Sequence, residues 1–216
     1  MKLNKISFFI LFISLLLSIL ITCLESKLFK IIFKNYAFIF NILFFVLLFY
    51  FLIILFINLF IINKINEGTF DLEDKNNNYY LSYNYMTNLI LIPILPMMPF
   101  FFVPLVLKLF GAKLGRNNIV GAAILYDPAL VETGNNVVLG GFCIIKCSLI
   151  NKKKITLKKV KIGDGATVGA NSLLEAGIEL GENSIIAPGA YVPPFTIIPK
   201  NELWGGNPAK FIKRIK

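Results

Sequence analysis

Residues 162–192 read IGDGATVGANSLLEAGIELGENSIIAPGAYV, and a period of six residues in this stretch decides the fold. The aliphatic positions that carry the period are Ile162, Val168, Leu174, Leu180, Ile186, Val192 and Ile198. An amphipathic helix repeats every 3.6 residues and a half-buried strand every two, so neither explains the spacing. The period predicts a left-handed parallel β-helix, a triangular prism with one hexapeptide on each face. Its aliphatic side chains stack inside, one strand spacing of about 4.8 Å apart.

Small residues complete the pattern. The residues that follow aliphatic positions include Gly163, Gly169, Gly181 and Ala187, and those four positions beyond include Ala166, Ser172, Ser184, Ala190 and Thr196. A small residue near each tight corner avoids a clash, and glycine reaches turn conformations that strain other residues.

The repeat extends towards the N-terminus with two interruptions. Residues at the same spacing are Leu114, Val120, Thr133, Leu139 and Ile145. The phase slips between 120 and 133, and again over 146–159, which we expect to leave the prism as a loop. The sequence therefore predicts four to five coils over about 111–204, preceded by a different kind of structure.

The first half of the chain is apolar. Residues 6–24 and 36–62 carry no charge, and each is long enough to cross a bilayer, which takes about 20 apolar residues. A third apolar stretch, 88–110, is interrupted by prolines, so it is a kinked span, a re-entrant piece or an interfacial segment under the β-helix. The predicted divisions are two transmembrane helices over 1–65, a linker with a membrane-associated segment over 66–110, and the β-helix with its C-terminal cap over 111–216.

Charge and cysteine content narrow the partners. The formal net charge is +10, of which +7 lies in 111–216. A basic domain beside a membrane suggests anionic lipid or a phosphorylated substrate, although solubility alone explains as much. No nucleic acid is expected as a partner. With no histidine and three unpatterned cysteines, the sequence predicts no metal site and a reduced compartment.

The repeat, together with ELWGGNPAKFIKRI at 202–215, resembles the hexapeptide-repeat acyltransferase superfamily. The earlier DPALVETGNNVVLGG at 127–141 resembles a membrane-linked branch that includes the terminal domains of polylysine-synthetase-type enzymes. The resemblance covers about the second half of the chain. It implies a homotrimer that takes acetyl-CoA or another acyl-CoA as cosubstrate in the groove between neighbouring prisms.

The resemblance also implies the residues that border this cosubstrate. Gly169 and Ala187 would lie beside the pantetheine arm, and Trp204, Gly205 and Lys210 would lie towards the nucleotide. Two of them have a second interpretation. Trp204 would equally cap the open end of the prism, and Lys210 would equally belong to a solvated or membrane-facing tail.

The family's usual catalytic histidine is missing. Acyl transfer needs a base for the acceptor and a donor for the oxyanion, and near the expected place stand Lys146, Cys147 and Ser148. Three hypotheses remain. Glu175 acts as the base, although an exposed corner carboxylate is the simpler reading. Alternatively, Cys147 accepts the acyl group, although a buried packing role is simpler. In the third, the domain is an inactive trimeric scaffold.

These observations predict a membrane-anchored acyltransferase-like protein that acts on a cell-envelope or small-molecule acceptor, with the inactive scaffold as the alternative. We expect a multi-pass membrane location with the β-helix on the cytoplasmic side. Carbonic anhydrases of the same fold hold their metal with histidines, so the absence of histidine excludes that activity.

Overall fold

The computed structural model of the chain describes residues 5–32, 37–57, 61–71, 77–95 and 98–215. The β-helix predicted from the repeat is confirmed, with four complete coils and part of a fifth. Every aliphatic residue of the period from Ile162 to Ile198 is at most 3% exposed, so all of them point into the prism.

Three faces make up the prism, and within each the strands are parallel and in register. The strands of the first face are β2 (Lys113–Leu114), β5 (Val131–Thr133), β10 (Val160–Ile162), β13 (Glu179–Leu180) and β16 (Ile197–Ile198). Those of the second face are β3 (Ile119–Val120), β6 (Val138–Leu139), β11 (Thr167–Val168), β14 (Ile185–Ile186) and β17 (Glu202–Gly206), which pairs antiparallel with β18 (Ala209–Arg214). Those of the third face are β4 (Ile124–Leu125), β7 (Ile144–Ile145), β12 (Leu173–Leu174) and β15 (Tyr191–Val192).

Two kinds of glycine serve the corners. One residue per corner takes a positive φ, at Gly165, Asn171, Gly177, Asn183, Gly189, Phe195 and Asn201. Gly163 is different, because a Cβ there would lie 2.7 Å from the backbone nitrogen of Glu182 in the next coil. The glycine that directly follows an aliphatic position is therefore required by close packing of the coils rather than by a turn conformation.

The outward side chains of the faces differ in chemistry. On the first face Lys113, Glu132, Lys161 and Glu179 alternate in sign along the register. Lys161 and Glu179 form an ion pair of 2.9 Å. The outward residues of the third face are apolar, and they are Ile124, Ile144, Leu173 and Tyr191.

Both interruptions of the repeat are ordered insertions. The first is a short 3₁₀ turn, Pro128–Leu130, which follows β4. The second, predicted as a loop over 146–159, is instead a β-hairpin of β8 (Ser148–Asn151) and β9 (Lys154–Leu157). A strand from the first half, β1 (Gly68–Asp71), pairs antiparallel with β9. The period of six could not reveal this pairing, since it joins residues about 90 positions apart.

Four helices precede the prism: α1 (Lys5–Ile32), α2 (Ala37–Phe56), α3 (Asn77–Ile94) and α4 (Val103–Leu109). The first two contain most of the stretches predicted to cross the membrane. Among the residues that the structure describes, no helix combines the length and apolarity that a membrane crossing requires. The membrane-spanning part of the prediction is therefore unsupported.

The third apolar stretch packs against the prism, as one of its three interpretations proposed. Leu91, Val103, Leu107 and Phe110 are at most 2% exposed and share one hydrophobic core with the first coils. Thus α3 and α4 close the N-terminal end of the β-helix, and the predicted linker contains an edge strand and helices.

Candidate functional site

A cleft of about 440 Å³ opens where the hairpin leaves the prism. Its walls come from α3, from the end of β4, from the hairpin and from the residue after β12. The lining residues are Tyr80, Leu81, Asn84, Tyr126, Lys146, Ser148, Leu149, Ile150, Ile155 and Glu175. The cleft therefore joins the place where the family histidine was expected to the carboxylate predicted as a base.

Lys146 and Glu175 are neighbours because successive coils stack. Ile145 pairs with Leu174 in the third face, so the residues that follow them leave the same corner in adjacent coils. The Lys146 ammonium lies 5.7 Å from the centroid of the Tyr126 ring, within the range of a cation–π contact. The cleft thus presents a half-buried cation and a half-buried anion side by side.

Asp127, which sequence reasoning did not single out, forms the inner wall of this site. Its side chain is fully buried. Oδ1 accepts hydrogen bonds from the Tyr80 hydroxyl at 2.6 Å and from the Asn84 amide at 3.0 Å. Oδ2 accepts from the Cys147 N–H at 3.0 Å and from the Ser148 hydroxyl at 2.9 Å. Within the described ranges no ion pair reaches this carboxylate, so hydrogen bonds alone stabilise it.

Asp127 could have been found from two signals in the sequence. It lies in YDPAL, where the phase of the repeat slips, and a charged residue at such a slip indicates an insertion with its own contacts. Its partners Tyr80 and Asn84 are more than 40 positions away on α3 and left no comparable signal. Burial, followed by the Asp127 charge, raises the pKa of Tyr80 well above its ordinary value, so this phenol remains a donor.

Cys147 lies beneath the cleft instead of lining it. The side chain is fully buried, and its thiol donates a 3.5 Å hydrogen bond to the carbonyl oxygen of Leu130. Burial, with the charge of Asp127 as a further cause, raises the pKa of Cys147 well above its ordinary value. Since the thiolate is the nucleophilic form, these contacts favour the packing role over acyl acceptance.

Three residues predicted to border the cosubstrate form one column along the corner between the second and third faces. Gly169 donates its N–H to Ile186, and Ala187 donates its N–H to Trp204, each across one coil. A Cβ on Gly205 would lie 2.8 Å from the Cβ of Ala187, so only glycine permits this spacing at the last coil. The column provides a continuous backbone edge along several coils.

The remaining two predicted residues lie at the end of this column. Trp204 pairs in register with the inward-facing Ile186, and its indole N–H donates a 2.8 Å hydrogen bond to Oε2 of Glu202. This placement is that of a cap on the prism. Lys210 pairs with Gly205 across the β17–β18 turn and is exposed. The column and the cleft lie on different corners, separated by the third face.

A larger cleft of about 520 Å³ lies on the other side of Tyr80, lined by residues that include Lys64, Glu67, Phe70 and Tyr79. Its acid is already engaged, because Glu67 accepts the N–H of Lys159 at 2.9 Å and pairs with the Lys158 ammonium at 3.4 Å. This cleft offers no free carboxylate for acid–base chemistry.

The residues present do not fit a catalytic metal. The 216 residues contain no histidine, and no group of three His, Cys, Asp or Glu side chains in the described ranges could hold an ion. A catalytic zinc needs about three protein ligands, which these residues do not supply.

Comparison with known proteins agrees with the repeat. The family described as bacterial transferase hexapeptide (six repeats) matches residues 159–194. A maltose O-acetyltransferase structure from Clostridium difficile superposes with a TM-score of 0.53, at 17% identity, over 71% of this chain and 96% of that one. At this identity the likeness shows the fold.

Two curated relatives carry different chemistries. Gamma carbonic anhydrase 2 from Arabidopsis thaliana is 31% identical over 46% of this chain and 30% of its own length. The delta-poly-L-ornithine synthetase of Acinetobacter baumannii is 25% identical over 51% of this chain and 8% of its own length. The chain spans less than half of either relative. The predicted resemblance to the hexapeptide-repeat acyltransferases is confirmed.

Proposed function

From a chain whose second half belongs to the hexapeptide-repeat acyltransferase superfamily, we propose that it transfers an acyl group from acyl-CoA to a hydroxyl or amine acceptor. The observation that carries the proposal is the cleft at the foot of the hairpin. There Lys146, Ser148 and Glu175 stand together where the family would place its histidine.

These groups supply the two functions that acyl transfer requires. A carboxylate at the cleft removes the acceptor's proton, and Glu175 is the candidate that the sequence indicated. The Lys146 ammonium stabilises the negative charge that develops on the thioester oxygen. Acetyl-CoA or another acyl-CoA lies along the column of Gly169, Ala187 and Gly205, with Lys210 towards its phosphates.

The assembly we propose is a homotrimer. The first face carries alternating charges that already pair with one another, whereas the outward residues of the third face are apolar. Burial of an apolar face against a second copy stabilises the assembly at about 25 cal/mol per Å². This face separates the cleft from the column, so a neighbouring copy packed on it would bring its own groups close to both.

We also propose that the N-terminal helices associate with a membrane and that the β-helix lies on the cytoplasmic side. Phe9 and Leu20 of α1 and Leu47 of α2 are about 60% exposed, and lipid would cover such side chains. The chain should stay with the membrane fraction after a carbonate wash. Release into the soluble fraction would contradict this part of the proposal.

Calorimetric titration of the detergent-solubilised chain with acetyl-CoA tests the central proposal. Saturable binding is expected, and Ala187→Trp should abolish it by filling the column. Glu179→Trp adds the same bulk to the first face and should bind as the parent does. If intact oligomers of the parent show no saturable binding, the acyltransferase function is wrong.

The absence of histidine favours one alternative, a catalytically inactive scaffold at the membrane. A scaffold should retain a protein partner through an affinity step while releasing no CoA from acetyl-CoA. Turnover of acetyl-CoA by the purified chain would exclude it.

A further inference from the structure

The buried carboxylate of Asp127 does more than its hydrogen bonds require for folding. An anion without a cation partner is costly inside a protein, and replacing it by an apolar side chain is often neutral or stabilising. Here, however, the anion is held by four donors, two from α3 and two from the foot of the hairpin. One of those donors, Ser148, is half-buried and lines the cleft.

We propose that Asp127 and Ser148 form a proton relay that takes the place of the missing histidine. The inference rests on the proposed acyltransferase function and names the base for it. Ser148 is the catalytic residue that touches the acceptor, and Asp127 acts through Ser148. Glu175, on the opposite wall, then binds the acceptor instead of deprotonating it.

The relay balances without any further reactant. As the acceptor's oxygen or nitrogen bonds to the thioester carbonyl carbon, its proton passes to Oγ of Ser148. The proton of Ser148 passes in turn to Oδ2 of Asp127, 2.9 Å away. When the carbon–sulfur bond breaks, the same two groups return the proton to the CoA thiolate. The products are the acylated acceptor and CoA.

The geometry explains why this pair is suited to the task. The Cys147 N–H and the Ser148 hydroxyl share Oδ2, while Tyr80 and Asn84 hold Oδ1, so the carboxylate cannot rotate away. Because α3 supplies half of the donors, the helix that closes the prism also fixes the relay. This arrangement keeps the acceptor-facing hydroxyl in one orientation before substrate binds.

The experiment follows CoA release from acetyl-CoA by the full chain in detergent, with water as the acceptor. Ser148→Ala should lower kcat by roughly 10²-fold, the usual range for one acid–base group, and leave KM for acetyl-CoA unchanged. Ser148→Thr keeps a hydroxyl and should restore most of the rate. Thr156→Ala, which removes a hydroxyl elsewhere in the hairpin, should match the parent.

A second pair of variants separates the relay from a structural role. Tyr80→Phe and Asp127→Asn each disturb the same network, but only the latter removes the proton acceptor. We expect a kcat within a few-fold of the parent for Tyr80→Phe and a loss comparable to that of Ser148→Ala for Asp127→Asn. Equal losses in both variants would show a structural network and overturn the relay.

The remaining outcomes are also distinguishable. Full turnover by Ser148→Ala, or loss of turnover in Glu175→Gln alone, would overturn the relay and leave the acyltransferase function standing. Saturable binding of acetyl-CoA without any CoA release by the parent would overturn the relay as well. Failure of the parent to bind acetyl-CoA would overturn the proposed function itself.

Discussion

The hydroxyl of Tyr83 donates a 2.7 Å hydrogen bond to the carbonyl oxygen of Phe110. The same hydroxyl accepts the N–H of Ala129 at 2.8 Å. Tyr83 is fully buried, and this phenol therefore connects α3, the end of α4 and the first insertion of the β-helix. Burial raises its pKa well above the ordinary value, so it stays a donor at physiological pH.

Tyr83→Phe should weaken the closed end of the prism. The change leaves the N–H of Ala129 and the carbonyl of Phe110 without this partner in a buried site, which costs about 1–3 kcal/mol. For a chain of this size each kcal/mol lowers Tm by roughly 2–4 °C. Thermal unfolding followed by circular dichroism checks the result. Tyr85→Phe, on the same helix but half-buried, is the control and should leave Tm nearly unchanged.

Glu132 gives a prediction about pH. It accepts hydrogen bonds from Lys159 at 2.9 Å and from Lys113 at 3.1 Å, and the bond from Lys159 holds its pKa below the ordinary 4.5. Because the folded-state pKa is the lower one, this contribution is complete above about pH 4.5 and is lost as pH falls through the folded value.

Glu132→Gln should therefore lower Tm slightly at pH 7, by less than the equivalent of about 1 kcal/mol for so exposed a site. The difference from the parent should shrink to nothing when both are measured towards pH 3. Glu182→Gln, an exposed carboxylate, is the matched control. A difference that grows as pH falls would contradict the assignment.

The fold of the second half could be predicted because its information is local and repeated. Each coil places the same residue types at the same six positions, so Ile186 and Val192 identify their own environment. The insertions could not be predicted in this way. Pairing of β1 with β9, and of Asp127 with α3, depends on contacts between distant segments that leave no period in the sequence.

The candidate site divides along the same line. Glu175 stood out because its position in the repeat prefers a small residue, and it does line the cleft. Lys146 and Ser148 were placed by resemblance alone. Asp127 gained its importance from burial and from four donors on three segments, none of which a single sequence reveals.

The apolar third face predicts how the proposed homotrimer assembles. Leu173→Lys places a charge on the outward side of β12, in the face we expect a second copy to cover. Light scattering after size-exclusion chromatography in detergent should show a shift from trimer towards monomer. Ile197→Lys makes the same kind of change on the first face, where Ile197 is 68% exposed, and should leave the trimer intact. Dissociation by Ile197→Lys alone would place the interface on the first face instead.

The buried thiols give the last prediction. Cys143 and Cys147 are both fully buried, and burial raises the pKa of Cys143 to about 12. In a Cys23→Ser background, maleimide at pH 7.5 should label neither thiol of the folded protein and should label both after denaturation, since the thiolate is the reactive form. A cysteine introduced at the exposed Lys153 should react at once and shows that the reagent is competent. Cys147→Ala should release CoA from acetyl-CoA at the parent rate, because its thiol contacts the Leu130 carbonyl rather than the cleft. Rapid native labelling of Cys147, together with loss of turnover in Cys147→Ala, would instead make this thiol the acyl acceptor.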